Sequence, residues 1–436
     1  MSKPTVLISG AGIAGPSLAY WLTRSGYQVV LVELADGIRP GGQTVDLRGA
    51  GRAVVERMGL LDQMRARSLD QRGIAWVKAD GRRRAEMPVD AFHGNGLVSQ
   101  LEILRGDLTD VIYQATVADT EYRFGTRITE LAQSDSETGG AVTATLSDGT
   151  TVLADLVVGA DGPHSGVRRL AFGPEEGFVK PLGGYNAWFT VPDTAGLNGW
   201  YLMYQAAGGL NASMRPSHDP SKAKAGLAFR SDPLTYDRHD LDEQREILAT
   251  RFAGAGWQCD ALVAGARESD DFYFDAFAQV HMDSWSSGRV TLVGDAGYCA
   301  SPLSGMGTSL ALVGAYVLAG ELGPADDAGR GAARGGDGRS DLGPADDAGI
   351  DGEHLATAQE RYEAVMRPYV NACQELPNSV ERFLPDSATD IAVTALAMKY
   401  MQRWPLRPLA ERKWFTTADA VDLPDYPAAR SNARRA

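Results

Sequence analysis

The feature that most restricts the fold is a glycine-rich segment, Gly10-Ala11-Gly12-Ile13-Ala14-Gly15, set between an apolar run and a helix-forming run. Thr5-Val6-Leu7-Ile8 reads as a buried strand, Pro16 to Ser25 as a helix ended by Gly26, and Gln28 to Val32 as a second strand. Strand, tight turn, helix and strand make a βαβ unit. Gly10 permits the turn, Gly12 lets the backbone approach a pyrophosphate, and Gly15 lets the helix pack close to the strand. The helix start offers free N–H groups and the positive end of its dipole to an anion. Glu33 ends the second strand, where a carboxylate can accept hydrogen bonds from both ribose hydroxyls and disfavours a 2′-phosphate. The unit predicts an α/β chain that holds FAD or NAD and suits NADPH poorly.

Two later segments repeat the plan of a strand running into a polar turn. Leu156-Val157-Val158 delivers Asp161-Gly162, with Ser165 and Arg168 following. Alone, such an Asp-Gly turn is common. Val290 to Val293 leads to Gly294-Asp295, then to a loop with Pro302, Gly305 and Gly307 and a helix from about Thr308 to Leu322. That is a second anion-binding helix start, preceded by a carboxylate able to hold a sugar hydroxyl.

The three motifs in this order resemble the flavoprotein monooxygenases of the para-hydroxybenzoate hydroxylase class. Further stretches bring the chain closer to the tetracycline-inactivating monooxygenases: Gly41-Gly42-Gln43-Thr44-Val45-Asp46-Leu47, Leu104-Arg105-Gly106-Asp107-Leu108, and Arg361-Tyr362-Glu363 with Arg367-Pro368. The resemblance covers residues 4–322 and 353–425. It implies that Gly10, Gly12, Gly15, Glu33, Asp46, Arg105, Gly294, Asp295, Pro302, Gly305 and Gly307 form the FAD site. It also implies that Asp161 serves both FAD and NADPH, and that Arg39 stands where relatives place an arginine near NADPH.

The implied chemistry is oxygenation of an aromatic or polycyclic, polyketide-like small molecule. NADPH or NADH would reduce FAD, and O2 would add to give a flavin C4a-hydroperoxide that passes one oxygen to a ring carbon. No side chain needs to act as nucleophile, so no catalytic residue is assigned. Baeyer–Villiger insertion or epoxidation would use the same flavin, and product structure separates them. A flavin halogenase of this fold expects a Trp-x-Trp-x-Ile-Pro segment, whereas Trp188 and Trp200 are isolated. A non-catalytic flavin carrier is the remaining alternative, and the intact Asp161-Gly162 and Gly294-Asp295 segments argue against it. The chain departs from the family at Gly297-Tyr298, where relatives often carry Ala-His, and at Gly314, where they carry Asp. Thr308 or Ser309 stands where Asn is usual.

These readings divide the chain. A discontinuous Rossmann-type FAD-binding domain is expected over 1–72, 101–180 and 287–372, with helices over 51–68, 101–115 and 353–373. An antiparallel-sheet substrate domain is expected over 73–100 and 181–286, where Tyr185–Val191, Trp200–Gln205 and Ala225–Phe229 alternate. Tyr201, Met203, Arg215 and Phe229 are its candidate substrate contacts. A C-terminal helical extension covers 373–436, helical over 386–413. Residues 323–352 read as a flexible insertion: Leu-Gly-Pro-Ala-Asp-Asp-Ala-Gly stands at 322–329 and again at 342–349 in a Gly/Ala/Asp/Arg-rich setting too poor in apolar surface to order itself.

Composition narrows the partners. A formal net charge of −14 argues against nucleic acid. The run Arg82-Arg83-Arg84 follows the turn pair Asp80-Gly81 and reads as a solvated hairpin. Cys259, Cys299 and Cys373 are too widely spaced for a metal site, and the histidines are scattered, so no metal is expected. Free thiols point to a reducing cytoplasm. No stretch is apolar for long enough to span a bilayer, which needs roughly 20 residues, and the first strand starts too early to leave room for a leader. The oligomeric state is open.

Overall fold

The computed structural model describes residues 3–94, 97–134, 140–328, 349–376, 379–402 and 420–427. Its first sheet has six strands in the order Ser286–Ser287, Val290–Leu292, Leu156–Gly159, Thr5–Ser9, Gln28–Val32 and Glu121–Arg123. All pairs are parallel except the first. Leu7 registers with Val30 on one side and Val157 on the other. A parallel sheet is covered on both faces, which is why these strands are continuously apolar and do not alternate. The helix Gly307–Leu322 is buried along almost all of its length, packed by Ala14–Arg24, Gly49–Arg57 and Gly352–Gln374. A helix apolar all round is the expected signature of that position.

The second sheet has seven strands in the order Tyr273–Val280, Val179–Pro192, Lys222–Arg230, Leu210–Pro216, Trp200–Ala206, Gly73–Val77 and Arg83–Pro88. It is mixed, not purely antiparallel as the alternation suggested, because Trp200–Ala206 runs parallel to Gly73–Val77. A parallel pair needs a long crossover, and here the crossover carries two strands of the first sheet, Glu121–Arg123 and Leu156–Gly159. One face, with Leu202, Met214, Leu227 and Phe229, packs on the helices Leu241–Phe252 and Cys259–Glu268 through Leu248, Phe252 and Leu262. The other face carries Tyr201, Met203, Arg215 and Lys224, cross-strand neighbours of one parity. Its outer part is covered by Ala395 and Met401, which pack with Tyr201, Met203 and Trp76.

Some boundaries differ from the sequence reading. The helix expected over 51–68 is two helices, Gly49–Arg57 and Leu61–Ala66, separated at Gly59 with φ +71°. Leu60 N–H donates to Val55 O and Gly59 N–H to Glu56 O, the glycine-ended helix stop that only a residue tolerant of positive φ makes cheaply. The helix expected over 101–115 begins only at Arg105, because Glu102–Leu104 forms a strand paired with Thr44–Asp46. The C-terminal helical stretch resolves into Ser379–Phe383 and Ala388–Tyr400, and residues 403–413 lie outside the described residues. Leu210–Pro216, Tyr273–Val280 and Cys259–Glu268 are elements that the pattern did not announce.

The two family departures turn out to be one packing event. Tyr298 is buried, and its hydroxyl accepts from the Tyr362 hydroxyl at 2.9 Å. A Cβ placed on Gly314 would lie 2.0 Å from that hydroxyl. The tyrosine thus fills the room that a side chain at 314 would need. Gly314→Ala should lower stability by about 1–3 kcal/mol, the usual cost of overpacking, despite alanine's better helix propensity. Adding Tyr298→Phe should recover most of the loss in a thermal melt; no loss in the single variant would show that Tyr298 can move aside.

The ends of the repeat-bearing stretch are packed. Ala325 N–H donates to Ser25 O at 2.8 Å, Ala328 and Ile350 are buried, and Asp351 N–H donates to Ala328 O at 3.0 Å. Residues 329–348 lie outside the described residues. Because the repeat at 322–329 returns at 342–349, excising 329–348 removes one period and leaves a single intact copy followed by Ile350. The Ala328–Asp351 bond would then close an ordinary four-residue turn. The excised protein should melt at or above the parent temperature and bind FAD equally well; a lower melting point or lost flavin would show that the segment contributes to the fold.

Candidate active site

Four neighbouring parallel strands of the first sheet end at one edge. Val290–Leu292 leads to Asp295, Leu156–Gly159 to Asp161, Thr5–Ser9 to the loop Gly10–Gly15, and Gln28–Val32 to Glu33. In open α/β sheets the carboxyl ends of the strands are where ligands bind. Two glycines of the loop are sterically required. A Cβ on Gly10, at φ +105°, would meet Ala160 O at 2.5 Å, and one on Gly15 would meet Gly10 O at 2.0 Å. The helix then starts at Ala14 with no side-chain cap, which leaves its first N–H groups for an anion. A Cβ on Gly12 would lie 3.2 Å from the guanidinium of Arg105, so Gly12 is bare toward a cation as well as toward a ligand.

Glu33 accepts from Ala11 N–H at 2.8 Å and Ala35 N–H at 2.9 Å, one bond to each carboxylate oxygen. Each oxygen keeps capacity for a ribose hydroxyl. Arg39 lies 3.6 Å from Glu33 and is 72% exposed, at the outer rim of this position. Gly106 seats the Gly41-Gly42 loop: its N–H donates to Gly41 O at 2.7 Å, and a Cβ there would meet Gly41 N at 2.5 Å. The two glycine-bearing stretches singled out in the sequence are therefore a fitted pair.

Asp161 is occupied with its own turn. It accepts from Ser165 Oγ at 2.5 Å, Gly166 N–H at 2.9 Å and Val167 N–H at 3.2 Å. Burial nevertheless raises its pKa above the ordinary carboxylate range. Asp295 is raised by burial too, and the Arg105 guanidinium draws it back. Beyond it, Ser301 at φ +74°, Pro302 and Gly305 at φ +65° shape the turn into the helix at Gly307, which also starts without a side-chain cap. Such positive φ at a serine is a costly conformation held where a site needs it. A Cβ on Gly294 would lie 3.2 Å from Ala14 Cβ and 3.7 Å from Ala311 Cβ, so the first turns of the two uncapped helices come together at this glycine. Cys299 is buried, and burial with the nearby Asp295 carboxylate pushes its thiol well above the usual range, so it is unreactive.

These groups fit FAD: two free helix starts and Arg105 for the pyrophosphate, carboxylates at either flank for sugar hydroxyls, and glycines where side chains would block the approach. Among the described residues, no group of His, Cys, Asp or Glu is placed to hold a metal. Among them too, no helix is long and apolar enough to cross a membrane.

The second sheet faces this edge with Tyr201, Met203 and Arg215. Arg215 lies 3.9 Å over the Tyr201 ring and 3.7 Å from Glu102. Phe229 is the exception among the substrate candidates. Strand alternation puts it on the opposite face, fully buried against Phe252 and stacked with Tyr185, so it belongs to the core behind the sheet. Sequence reasoning missed several neighbours. Trp188, Lys224, Asp271 and Tyr273 line a cleft between the sheet and the glycine loop, whose Gly42 and Gln43 belong to a stretch already singled out. Lys224 donates to Asp271 at 2.9 Å and to Thr190 at 2.7 Å. Burial alone would raise Asp271, but these bonds outweigh it and hold its pKa down to about 2. Asn186, buried with an unpartnered side-chain oxygen, also lies on this face. The available signal was polar residues at alternate positions of otherwise apolar strands.

Arg168 ties the motifs together. It is fully buried and donates to Pro163 O at 2.5 Å and Ala296 O at 2.8 Å, bridging the second and third motifs. His164, four residues earlier in the turn, reaches the second sheet. Its ring lies 3.0 Å from Asp275 and 3.1 Å from Glu175.

Comparison with known proteins agrees with this geometry. The FAD binding domain family matches residues 3–330. An uncharacterised protein of Mycobacterium tuberculosis is 44% identical over 324 residues, covering 74% of this chain and 86% of that protein. A flavin-dependent monooxygenase of Legionella longbeachae is 42% identical over 318 residues, covering 73% of this chain and 80% of its own. The crystal structure of tetracycline destructase Tet(55) superposes with a TM-score of 0.77 at 33% identity, covering 97% of this chain and 99% of that one.

The His164 cluster has a pH signature. Burial lowers its pKa, but Asp275 and Glu175 outweigh burial and the opposing Arg238, raising it from 6.5 to about 9. Glu175, held down to about 2, stays ionised throughout. A raised histidine stabilises the folded state fully below its unfolded value and loses that contribution as pH rises through the folded one. The urea midpoint of the parent should therefore exceed that of His164→Gln below pH 6.5, and the gap should close as pH passes about 9. A pH-independent gap would mean that neutral hydrogen bonds hold the cluster.

Proposed function

This chain belongs to the class A flavoprotein monooxygenases, FAD-dependent oxidoreductases related to the tetracycline-inactivating enzymes, and we propose that it uses NADPH or NADH and O2 to hydroxylate a polycyclic or otherwise aromatic small molecule. The observation that carries this reading is the cleft between the glycine loop Gly42-Gln43 and a sheet face bearing Trp188, Tyr273 and Lys224, with Arg215 and Tyr201 on the same face. Aromatic walls with a few placed polar groups suit a flat ring system with polar substituents.

In this reading the six-stranded sheet serves the cofactor and the seven-stranded sheet the substrate. Gly10, Gly12, Gly15 and Arg105 take the pyrophosphate, Glu33 and Asp295 take sugar hydroxyls, and Pro302, Gly305 and Gly307 shape the loop beside the flavin ring. Gly294 lets the helices meet. Asp46 closes the cleft from the neighbouring strand. Asp161 acts by fixing the turn that places Arg168. When bound, FAD supplies the redox chemistry, and the chain supplies orientation and exclusion of water. The helix Ala388–Tyr400, seated over Tyr201 and Met203, keeps that end of the cleft dry. The free, buried cysteines are in keeping with a reducing cytoplasmic compartment.

The test is NADPH and NADH oxidation with oxygen uptake by the FAD-loaded protein, across polycyclic phenols that include tetracyclines. One compound should stimulate both rates with little hydrogen peroxide released, and its product should carry one added oxygen. Bound FAD with no nicotinamide oxidation under any compound would overturn the proposal.

A further inference from the structure

Against the substrate face, where Arg215 leaves the sheet, lies a buried set of charges that the sequence motifs did not join. Asp46 and Glu102 are direct cross-strand partners. Glu102 is 1% exposed, and among the described residues neither of its carboxyl oxygens meets a hydrogen-bond donor. Asp46 Oδ1 is likewise buried without a partner. The charged groups facing Glu102 are Asp46, Arg215 and Arg48. Arg48 is bonded to the other oxygen of Asp46. Arg215 stops 3.7 Å short of Glu102, its Nε has no acceptor, and its side chain remains 20% exposed.

A buried carboxylate left without donors costs several kcal/mol, so the group takes a proton instead. Two facing carboxyl groups with orphan oxygens are satisfied together by one shared proton. Burial, then the Asp46 carboxylate, drives Glu102 in that direction against the pull of Arg215. Among the described residues the charges then count simply: Arg48 answers Asp46, Glu102 is neutral, and the cation of Arg215 is unanswered. It sits on Tyr201, and the strand neighbour of Arg215 is Lys224, which lines the cleft. Lys224 is neutralised by Asp271.

We propose that Arg215 is an uncompensated cation of the substrate cleft, recognising an ionised oxygen on the ring system (a phenolate, enolate or carboxylate), and that Glu102 keeps it available by sharing a proton with Asp46. Glu102 is a positioning residue and takes no part in bond making. The proposal rests on the reading of this cleft as the substrate site. It deepens that reading by naming the chemical class: compounds that carry an acidic hydroxyl or carboxyl group beside the ring to be oxidised.

The experiment uses the FAD-loaded full chain and two matched probes, 4-nitrophenol and its uncharged methyl ether 4-nitroanisole. Binding is read from flavin absorbance, and the nitrophenol band reports its ionisation. The parent should bind nitrophenol as the phenolate, on the order of tenfold tighter than the ether, as expected for a charge-assisted hydrogen bond. Arg215→Gln should erase the preference, and Arg215→Lys should keep part of it. Glu102→Gln, which mimics the protonated form, should keep the preference in full. The preference should fade in the parent, but not in Glu102→Gln, as alkaline pH ionises Glu102. Infrared difference spectra should show a protonated carboxylic acid in the parent that is missing in Glu102→Gln.

Equal binding of both probes by the parent, loss of the preference in Glu102→Gln, or absence of the protonated-acid band would overturn the proposal. If neither probe binds although FAD is retained and Arg215→Gln leaves the turnover of an oxidised compound unchanged, the cleft is not the substrate site. Failure of the monooxygenase reading itself shows separately, as absent nicotinamide oxidation.

Discussion

Parallel strands all end on the same side, and that constraint organises the molecule. Because four adjacent strands run the same way, Asp295, Asp161, the Gly10–Gly15 loop and Glu33 arrive along one edge in that spatial order. The arrangement crowds carboxylates together, and each is answered differently. Glu33 is held by two backbone N–H groups, Asp161 by Ser165 and the start of its own helix, and Asp295 by the charge of Arg105. None of them can meet a phosphate. In the proposed site, anion binding therefore falls to the uncapped helix starts and to Arg105, which on that reading must stay bare.

The same edge must be fixed against the seven-stranded sheet, and buried polar groups take part in this alongside apolar contact through Val280 and Met282. Arg168 has no solvent and draws its hydrogen bonds from carbonyls of two separate motifs, so displacing either motif would strand a buried guanidinium. His164, a few residues earlier, carries the linkage on to Asp275 in the second sheet. The turn after one strand thus sets both the cofactor edge and the position of the opposite wall. An Asp-Gly turn that looked unremarkable in sequence gains its weight from what its neighbours reach.

What could be read from the sequence was what is local along the chain. Gly10, Gly12 and Gly15 need only one another, their strand and their helix, so their geometry follows from spacing. The cleft did not follow, because its members come from far-apart segments: Gly42, Trp188, Lys224 and Tyr273 meet only after two sheets have formed. Alternation along a strand separates two faces but does not say which face is which, and this is how Phe229 was grouped with Tyr201 and Arg215. Leu101-Glu102-Ile103-Leu104 fits a helix start as well as a strand, and only its pairing with Thr44–Asp46 decides. Tyr298 and Gly314 looked like two separate departures from the family, whereas sterically they are one exchange.

Glu102 shows why a charged residue inside an apolar run is worth pursuing. A buried acid with no donor is a liability unless its proton is useful, and a hydrophobic residue of similar volume would be cheaper in stability. Keeping the acid costs stability yet leaves the neighbouring arginine un-neutralised, and a glutamate placed to form a tight pair would have cancelled it. The 3.7 Å separation and the cross-strand aspartate are therefore better understood as a way of storing positive charge next to an aromatic cleft than as a failed salt bridge. On that view the second sheet does more than wall off solvent: it sets the electrostatic sign of what can lie against the cofactor edge.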